Sequence, residues 1–375
     1  MAEARQSRPQ IGRAGPLCTL DRYVLRLFAW PLAYTLLAVA SLAVVVDIFE
    51  RLAWLIPASR ELGESPLEIV AEVALFYAAR LGLLLFDLGP AIPLVAASVA
   101  VAGMLKRREI VAAKAAGVSA QRALMPLVGA ALACGLIVFA ARELVGPEMV
   151  VFTTLGRTRF LGQVEKPSVQ VSAQGTTPAG SGFVLNANAL EPSSGVIHGL
   201  VASYWAAGDA EPTYVWSGDA RWDGSRWVLD KDARLFRYPE GADAIVAAPV
   251  GALETNLSPR VLEMEAFGEG AIGLGELLAG RSRTDMATAL HWRIAAPLGW
   301  VALILLGLPL VVGGADRSAL MGFAWSLAVV AIYAVVVSVG RSLALNGSVP
   351  PAVGVWAPQA GALLLGALTY WRMET

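Results

Sequence analysis

The chain has 375 residues, of which 56% are hydrophobic and only 16% are charged, and its mean hydropathy is +0.60. These values exclude an ordinary soluble domain and predict a protein that folds in a membrane. The net charge of −1 says little about partners, because the position of each charge matters more in a membrane protein. The two cysteines, Cys18 and Cys134, lie far apart, which argues against a disulfide framework and offers no metal-ligand spacing.

The first part of the chain contains three apolar windows of membrane-spanning length. A bilayer core about 30 Å thick needs about 20 apolar residues in a helix. The windows are residues 27–46, 88–105 and 123–141. The first could instead be a signal peptide, but it is longer than the usual apolar region, and Asp47, Glu50 and Arg51 follow in place of a clear cleavage site. We therefore expect three spans here.

The middle of the chain, from about Glu143 to Arg293, has a different pattern. Short runs rich in Val, Tyr, Trp and Phe alternate with Gly, Pro, Asn and Asp, which is typical of a β sandwich or jelly roll. The stretch ARWDGSRWVL predicts a hairpin with Asp-Gly at its turn. Residues 274–290 follow with a helical pattern that leads into the next span.

Three more windows end the chain, and the short loops predict the orientation. The windows are residues 294–315, 318–340 and 352–371, the last two separated by the turn signal NGSVPP. Basic residues concentrate in the N-terminal tail and in residues 106–122, whereas the loop between the first two spans has only Arg51 and Arg60. The positive-inside rule then places the tail, residues 106–122 and the C terminus in the cytoplasm and the middle region outside.

The predicted fold is therefore an α-helical polytopic membrane protein with six transmembrane helices and an inserted β domain. Residues 1–145 form the tail and the first three spans, with a cytoplasmic helix over residues 106–118. Residues 146–275 form the β domain, and residues 276–375 form a linker helix and the last three spans.

The chain lacks the motifs of an enzyme. It has two histidines, His198 and His291, and no H-E-x-x-H, G-x-S-x-G, C-x-x-C or phosphate-binding G-x-x-x-x-G-K-[ST]. Each histidine fits a hydrogen-bonded surface or interfacial residue better than a catalytic one. We predict no catalytic site, no cofactor and no metal, so any ATP must be hydrolysed by another chain.

Charged residues near the outer ends of the spans form a candidate lipid cavity. Such groups are costly in hydrocarbon and often mark a transport pathway. One interpretation is that each side chain extends to the outer headgroups. The other is that charges at one depth contact an amphiphile with a charged head and apolar chains. The candidates are Asp47, Arg51, Arg80, Arg142, Arg293 and Arg341.

The segment KRREIVAAKAAGVSAQR at residues 106–122 is basic and rich in small residues. Its spacing predicts a helix, with Gly117 as a stop and Ser119 as the cap of the third span. One interpretation is an anchor that follows the positive-inside rule, and the other is a coupling helix that docks on a cytoplasmic ATPase. The candidate coupling residues are Lys106, Arg107, Arg108, Glu109, Ile110, Ala113 and Gly117.

Three stretches resemble one family of transporters. They are LDRYVLRLF at 20–28, GPAIPLVAASVAVAGMLKRREIVAAKAAGVS at 89–119 and LHWRIAAPLGWVALILLGLPLVVG at 290–313. Together they resemble the LptF/LptG permeases of the lipopolysaccharide export ABC transporter, and the initial Leu-Asp-Arg-Tyr favours the LptG member. The likeness covers almost the whole chain, and the pattern after the second span is its most specific part.

The resemblance implies a periplasmic β-jelly roll in an inner-membrane protein with both termini cytoplasmic. It implies a non-catalytic permease subunit of an ATP-driven transporter that extracts lipopolysaccharide from the outer leaflet and passes it to a periplasmic bridge. The implied partners are lipopolysaccharide, an LptB-like ATPase dimer, a second, LptF-like permease and a bitopic LptC-like bridge protein. Nucleic acid is not among them.

Particular residues carry these implications. Glu109 occupies the place of the glutamate that meets the ATPase in the family. Strand alternation puts Phe183, Leu185 and Ala187 on one face of a strand, where they would line the lipid path inside the jelly roll. Some members carry a basic residue where this chain has Asp47, so contact with lipid phosphate falls to Arg51 or to another subunit.

Two other functions stay open from the sequence. A secondary transporter would need broken helices around a site in mid-membrane, and Gly89-Pro90 could break the second span. A structural or sensory anchor that presents the β domain would need no cytoplasmic coupling surface. Copurification of an ATPase would distinguish the export permease from both.

Overall fold

A computed structural model describes residues 19–61, 66–160, 169–177, 182–191, 195–205, 212–237, 245–313 and 319–373. The described residues form two compact units. The first unit contains those up to Leu42, then Asp87–Phe139, and those from Leu290 onward. The second contains Ala43–Phe86 and Ala140–Ala289.

Helices precede and follow the β strands in the described residues. The first five are α1 (Thr19–Glu61), α2 (Pro66–Leu88), α3 (Ala91–Lys106), α4 (Glu109–Ala115) and α5 (Ala120–Phe160). The last five are α6 (Pro259–Phe267), α7 (Leu274–Ala279), α8 (Thr284–Gly313), α9 (Ala319–Leu345) and α10 (Pro351–Trp371).

Within the described ranges, five helical segments are long and apolar enough to cross a membrane. They are Thr19–Asp47, Ala120–Leu155, Thr284–Gly313, Ala324–Leu345 and Pro351–Trp371. Val73–Leu88 and Ala91–Lys106 form a broken pair that makes a sixth candidate if the two helices are one span. The break falls at Gly89-Pro90, where proline removes a backbone donor. The finding agrees with a helical membrane protein and an inserted β domain.

The described residues between the first two predicted spans are largely helical, although their charges indicated a loop. Helix α1 continues through Glu61, and α2 begins at Pro66. Asp47, Glu50 and Arg51 therefore lie within α1 instead of ending it. Charged residues at the end of an apolar window mark the edge of a hydrocarbon layer, but they do not stop a helix.

In the first unit, small residues allow close packing between helices. Gly135 of α5 faces α8 so closely that an added Cβ would lie 3.0 Å from Trp300 Cγ and 3.2 Å from Pro297 Cα. Gly307 of α8 packs even more closely against Leu94 of α3, whose side chain is fully buried. Helix association in lipid depends on this kind of fit, because the apolar driving force that acts in water is missing.

Helices α9 and α10 form a hairpin that depends on two glycines. An added Cβ at Gly340 would lie 2.4 Å from the carbonyl oxygen of Gly354, and one at Gly354 would lie 2.6 Å from that of Gly340. Tyr333 reinforces the hairpin by donating a hydrogen bond to Gln359 Oε1 over 2.8 Å. The two backbones thus touch with no room for a side chain between them.

The inserted β domain is an antiparallel sheet whose strands neighbour one another largely in chain order. The strands are β1 (Val169–Thr176), β2 (Gly182–Glu191), β3 (Val196–Tyr204), β4 (Thr213–Trp222), β5 (Trp227–Leu229), β6 (Arg234–Arg237), β7 (Val246–Pro249) and β8 (Ala252–Leu253). The order β1-β2-β3-β4 continues in two branches, because one half of β4 pairs with β5 and the other with β6. Trp222 pairs with Trp227, which confirms the predicted Asp-Gly hairpin.

Burial alternates along β2 as the sequence indicated. Phe183, Leu185 and Ala187 are buried, whereas Asn186 and Asn188 are exposed. This pattern follows from the period of two in a strand. One face of the sheet is therefore apolar and covered, and the other is polar.

Trp227 and the helix that follows the sheet close the apolar face. The indole of Trp227 is fully buried and donates a hydrogen bond to the carbonyl of Leu257 over 2.8 Å. Helix α6 then packs against β1 and buries Val261 and Leu262. The sheet and α6 thus share one core.

The segment that follows the β domain packs against α5, the helix that precedes the domain. The Leu274 backbone N–H, at the start of α7, donates a hydrogen bond to Glu143 of α5. Gly270 lies against Val150 of the same helix. The predicted helix over residues 274–290 is interrupted after Ala279 and resumes at Thr284. Gly280, a weak helix former, follows the end of α7. At the start of α8, Arg283 forms an ion pair with Asp285 over 2.7 Å.

Candidate functional site

The segment between α3 and α5 contains one short helix with defined ends. The prediction of a helix is confirmed, but α4 begins at Glu109, because Arg108 adopts a left-handed conformation with φ 59°. Lys106 therefore belongs to the end of α3. Gly117, with φ 82°, ends α4: its N–H bonds to the Lys114 carbonyl, and the Val118 N–H bonds to that of Ala113.

The cap of the next helix also agrees with the sequence. Ser119 Oγ accepts a hydrogen bond from the Arg122 N–H over 3.3 Å, at the first turn of α5. Within the described ranges, Arg108 is the only residue other than glycine with a positive φ. A left-handed residue with a side chain costs about 1–2 kcal/mol, so the bend between α3 and α4 is held against strain.

Glu109 is held by two side chains of its own unit. Tyr23 Oη, near the start of α1, donates a hydrogen bond to Glu109 Oε1 over 2.9 Å, and Arg107 Nε donates to the same oxygen over 2.5 Å. The hydrogen bond from Arg107 lowers the pKa of the Glu109 carboxyl below its usual value, so the group is ionised at neutral pH. Its Oε2 is buried and accepts no hydrogen bond within the described part of the chain. One carboxylate oxygen thus orients the side chain, and the other has no hydrogen-bond donor within the described part of the chain.

The remaining surface of α4 is small and open. Ile110 is 2% exposed and anchors the helix in the core of the first unit. Val111 is 61% exposed, and Ala112 and Ala115 are also exposed. Ala113 is half-buried. A short helix with one buried anchor and a small-residue face lets another protein surface approach its backbone closely.

Two sets of contacts join this segment to membrane-spanning helices. Arg122 forms two parallel hydrogen bonds, of 2.7 and 3.0 Å, with the carboxylate of Asp21 in α1. Asp21 is only 5% exposed, and such paired bonds are among the stronger polar contacts. Gln121 donates hydrogen bonds to the carbonyls of Trp371 and Met373, and Tyr370 Oη donates to the Gln121 carbonyl over 2.7 Å. Displacement of the segment would therefore act directly on α1 and α10.

Four of the candidate cavity residues, Asp47, Arg51, Arg80 and Arg142, lie in the second unit. Arg80 Nε donates a hydrogen bond to Asp47 Oδ1 over 3.2 Å, and Asp47 is 9% exposed. Arg142 lies over the ring of Phe86, with its guanidinium carbon 5.9 Å from the centroid. The side chain of Arg51 lies outside the described residues.

Arg293 and Arg341 lie in the first unit. Arg293 is 1% exposed, so its guanidinium lies inside the protein and does not extend to the lipid headgroups. Arg341 lies over the ring of Trp292, with its guanidinium carbon 5.0 Å from the centroid. Aromatic rings at such positions are typical of the membrane interface.

Both histidines have polar partners. His198 Nδ1 is 2.7 Å from Asp219 Oδ1, and this hydrogen bond raises the pKa of the imidazole above its usual value. Trp356 Nε1 donates a hydrogen bond to His291 Nδ1 over 3.3 Å. These contacts agree with the interpretation of both residues as hydrogen-bonded surface or interfacial groups.

No local pattern in the sequence marks the residues that hold the segment between α3 and α5. Tyr23 and Glu109 are 86 positions apart, and Gln121 is 250 positions from Trp371. Nothing in the local periodicity of any of these stretches marks such a pairing. The nearest indication was Asp21, an acidic residue shortly before the first apolar window, which could have suggested a basic partner elsewhere in the chain.

Comparison with known proteins identifies the family. A family model described as lipopolysaccharide export system permease LptF/LptG matches residues 22–372. A search of curated proteins finds no match. The matched range includes the spans, the β domain and the segment between α3 and α5. The chain therefore belongs to the LptF/LptG family and is an integral inner-membrane permease component of lipopolysaccharide export.

Proposed function

We propose that the chain couples ATP hydrolysis by a separate, LptB-like cytoplasmic ATPase dimer to extraction of lipopolysaccharide from the outer leaflet of the inner membrane. The observation that carries this proposal is the segment between α3 and α5. It presents a small-residue helix and an ionised Glu109, and it is tied to α1 and α10 through Arg122 and Gln121. A basic segment that served only to orient the protein in the membrane would not need these hydrogen bonds to α1 and α10.

These hydrogen bonds would transmit a movement of α4 to the membrane-spanning helices. When the ATPase subunits close, they displace α4, and its neighbour Arg122 transmits the displacement to the buried carboxylate of Asp21. Gln121 transmits it to the C-terminal end of α10. A second, LptF-like permease would supply the other half of a cavity that these movements narrow.

The extracted lipid needs an apolar acceptor. Each methylene withdrawn from hydrocarbon into water costs about 0.8 kcal/mol, so acyl chains must be reburied as they leave the membrane. The buried face of β2, with Phe183, Leu185 and Ala187, offers such a surface. From there the lipid would pass to a matching domain on a bitopic, LptC-like bridge protein.

The head of the lipid would meet charges at the outer ends of the spans. The pair between Asp47 and Arg80 suggests how this chain differs from members with a basic residue near the first span. A lipid phosphate would compete with Asp47 for Arg80, whose side chain is 47% exposed. Arg51, Arg142 and Arg341 are the other candidates for this contact, whereas Arg293 is buried inside the protein.

The orientation is tested by labelling single cysteines. In a variant without Cys18 and Cys134, we expect an impermeant maleimide to label Ser225→Cys in intact spheroplasts, because Ser225 is exposed in the β4–β5 hairpin. Ala116→Cys, at the exposed end of α4, should react only after lysis. The opposite pattern would place the coupling segment outside and refute the proposed direction of transport.

The lipid path is tested by photo-crosslinking from β2. A benzoylphenylalanine at Phe183 should capture lipopolysaccharide in reconstituted transporter when ATP is present, because that side chain lies on the apolar face. The same probe at Asn186, on the exposed face of the strand, is the control and should capture little. Equal capture at both positions, or capture without ATP, would contradict passage through the domain.

Copurification from native membranes distinguishes the other two functions. The broken helix pair at Gly89-Pro90 is the feature that a secondary transporter would use. Such a transporter, or an anchor for the β domain, would purify without a nucleotide-hydrolysing subunit. We expect an ATPase, a second permease and bound lipopolysaccharide in the purified complex.

A further inference from the structure

A groove of about 670 Å³ lies between α1 and α3, at the ends of these helices that adjoin the coupling segment. Its α1 wall includes Tyr23, Arg26, Trp30 and Tyr34. The α3 wall is made of small residues at Ala100 and Gly103, which give the groove its depth. The volume is within the range of small-molecule sites in proteins.

The groove is basic at one end and apolar along the rest. Arg26 and Arg107 line it near the start of α1 and the end of α3. Trp30 and Tyr34, each 64% exposed, continue the α1 wall toward the middle of the bilayer. From Arg26 to Tyr34 the wall extends about 12 Å along the helix, at about 1.5 Å per residue.

Arg107 can serve both the coupling segment and the groove. Its Nε donates to Glu109, whereas its two terminal nitrogens lie over Gly103, each 3.7 Å from the position of an added Cβ there. The absence of a side chain at Gly103 leaves these nitrogens on the wall of the groove. Arg26, one helical turn from Tyr23, brings a second cation to the same end.

We propose that this groove binds an anionic phospholipid of the cytoplasmic leaflet. The lipid phosphate lies between Arg26 and Arg107, and an acyl chain extends past Trp30 and Tyr34. Basic sites between spans on the cytoplasmic side are suited to anionic headgroups, and aromatic residues are suited to the interface. A partner helix of the usual apolar kind would leave two cations facing hydrocarbon, so the distribution of charge favours lipid.

This inference rests on the orientation in the proposed function, because the same groove in the other leaflet would meet a different lipid population. It adds a consequence for coupling. Tyr23 and Arg107 line the groove and also hold Glu109, so a bound lipid would contact the two side chains that orient the coupling carboxylate.

The test uses phosphatidylglycerol that carries a diazirine in one acyl chain, mixed into phosphatidylcholine liposomes that contain the purified transporter. After illumination, we expect adducts on the peptides that contain Trp30 of α1 and Val99 of α3, which both line the groove. Unlabelled phosphatidylglycerol should suppress them, and extra phosphatidylcholine should not. Arg26→Gln should reduce them about fivefold, the factor expected for one cation at a membrane surface. Arg22→Gln, an exposed arginine of α1 outside the groove, is the matched control and should have little effect.

Two results would overturn the proposal. Adducts that phosphatidylcholine suppresses equally, or that persist unchanged in Arg26→Gln, would mean unselective boundary lipid. A benzoylphenylalanine at Val99 that crosslinks to another polypeptide in the assembled transporter would mean that the groove is a subunit contact. Neither readout depends on ATP or lipopolysaccharide. Failed labelling in a transporter that exports lipopolysaccharide overturns only the lipid site, whereas labelling without export overturns only the proposed function.

Discussion

Glu109→Ala is expected to abolish lipopolysaccharide export, with loss of most of the ATPase from the purified complex. Removal of one partner of a buried, charged contact between proteins costs about 2–5 kcal/mol, which corresponds to at least about 30-fold weaker association. Membrane insertion should be unchanged, because Ile110 still anchors α4 and Gly117 still ends it. The measurements are the ATPase recovered per permease and the rate of ATP-dependent lipid release from proteoliposomes.

Two further variants separate the contact with the ATPase from the internal contacts of Glu109. Glu109→Gln keeps the shape and removes the charge, so it should resemble Glu109→Ala. Tyr23→Phe removes only the 2.9 Å hydrogen bond to Oε1 and keeps the charge, so its loss should be much smaller. If Tyr23→Phe matched Glu109→Ala, the carboxylate would act by holding α1. Normal recovery of the ATPase by Glu109→Ala would refute the coupling assignment.

Gly340→Leu is expected to disrupt the α9–α10 hairpin. Its Cβ would lie 2.4 Å from the Gly354 carbonyl oxygen and 2.7 Å from Pro358 Cγ, and the carbonyl cannot move without the helix. The two helices must separate, at a cost of about 3 kcal/mol or more, at the upper end for overpacked cores. We expect a lower midpoint of thermal aggregation for the full-length protein in detergent and a lower yield of folded chain.

Gly361→Leu provides the matched comparison. Gly361 is an exposed glycine of α10, and an added Cβ there meets nothing within 4 Å. Because leucine is a better helix former than glycine, this variant should fold at least as well as the parent chain. Equal destabilisation by both changes would show that glycine contributes through helix flexibility and not through the contact between Gly340 and Gly354.

Features that depend on local periodicity could be predicted from the sequence. The apolar windows near residues 123–141, 294–315 and 352–371 became helices, because about 20 apolar residues suffice to specify a span. The alternation of Phe183 and Asn186 followed from the strand period, and the stop at Gly117 from its tolerance of positive φ. In each case the sequence pattern lies within a few residues of the structural element that it specifies.

Features that depend on distant or strained residues could not be predicted. The ionic residues after the first window indicated a loop, yet α1 continues through them to Glu61. Helix α4 begins at Glu109 because Arg108 is left-handed, a conformation that an arginine does not signal in sequence. The groove depends on the packing of α1 beside α3, which places Arg26 and Arg107 on one surface although they are distant in sequence.

The return of the chain to α5 has an evolutionary consequence. Glu143 receives the Leu274 N–H, and Val150 faces Gly270, so both ends of the inserted segment attach to one helix. A segment whose ends meet can be lengthened, shortened or exchanged while the bonds that hold its base are kept. Selection could therefore remodel the β domain without altering the membrane spans, and a chimera joined at these two points should insert normally.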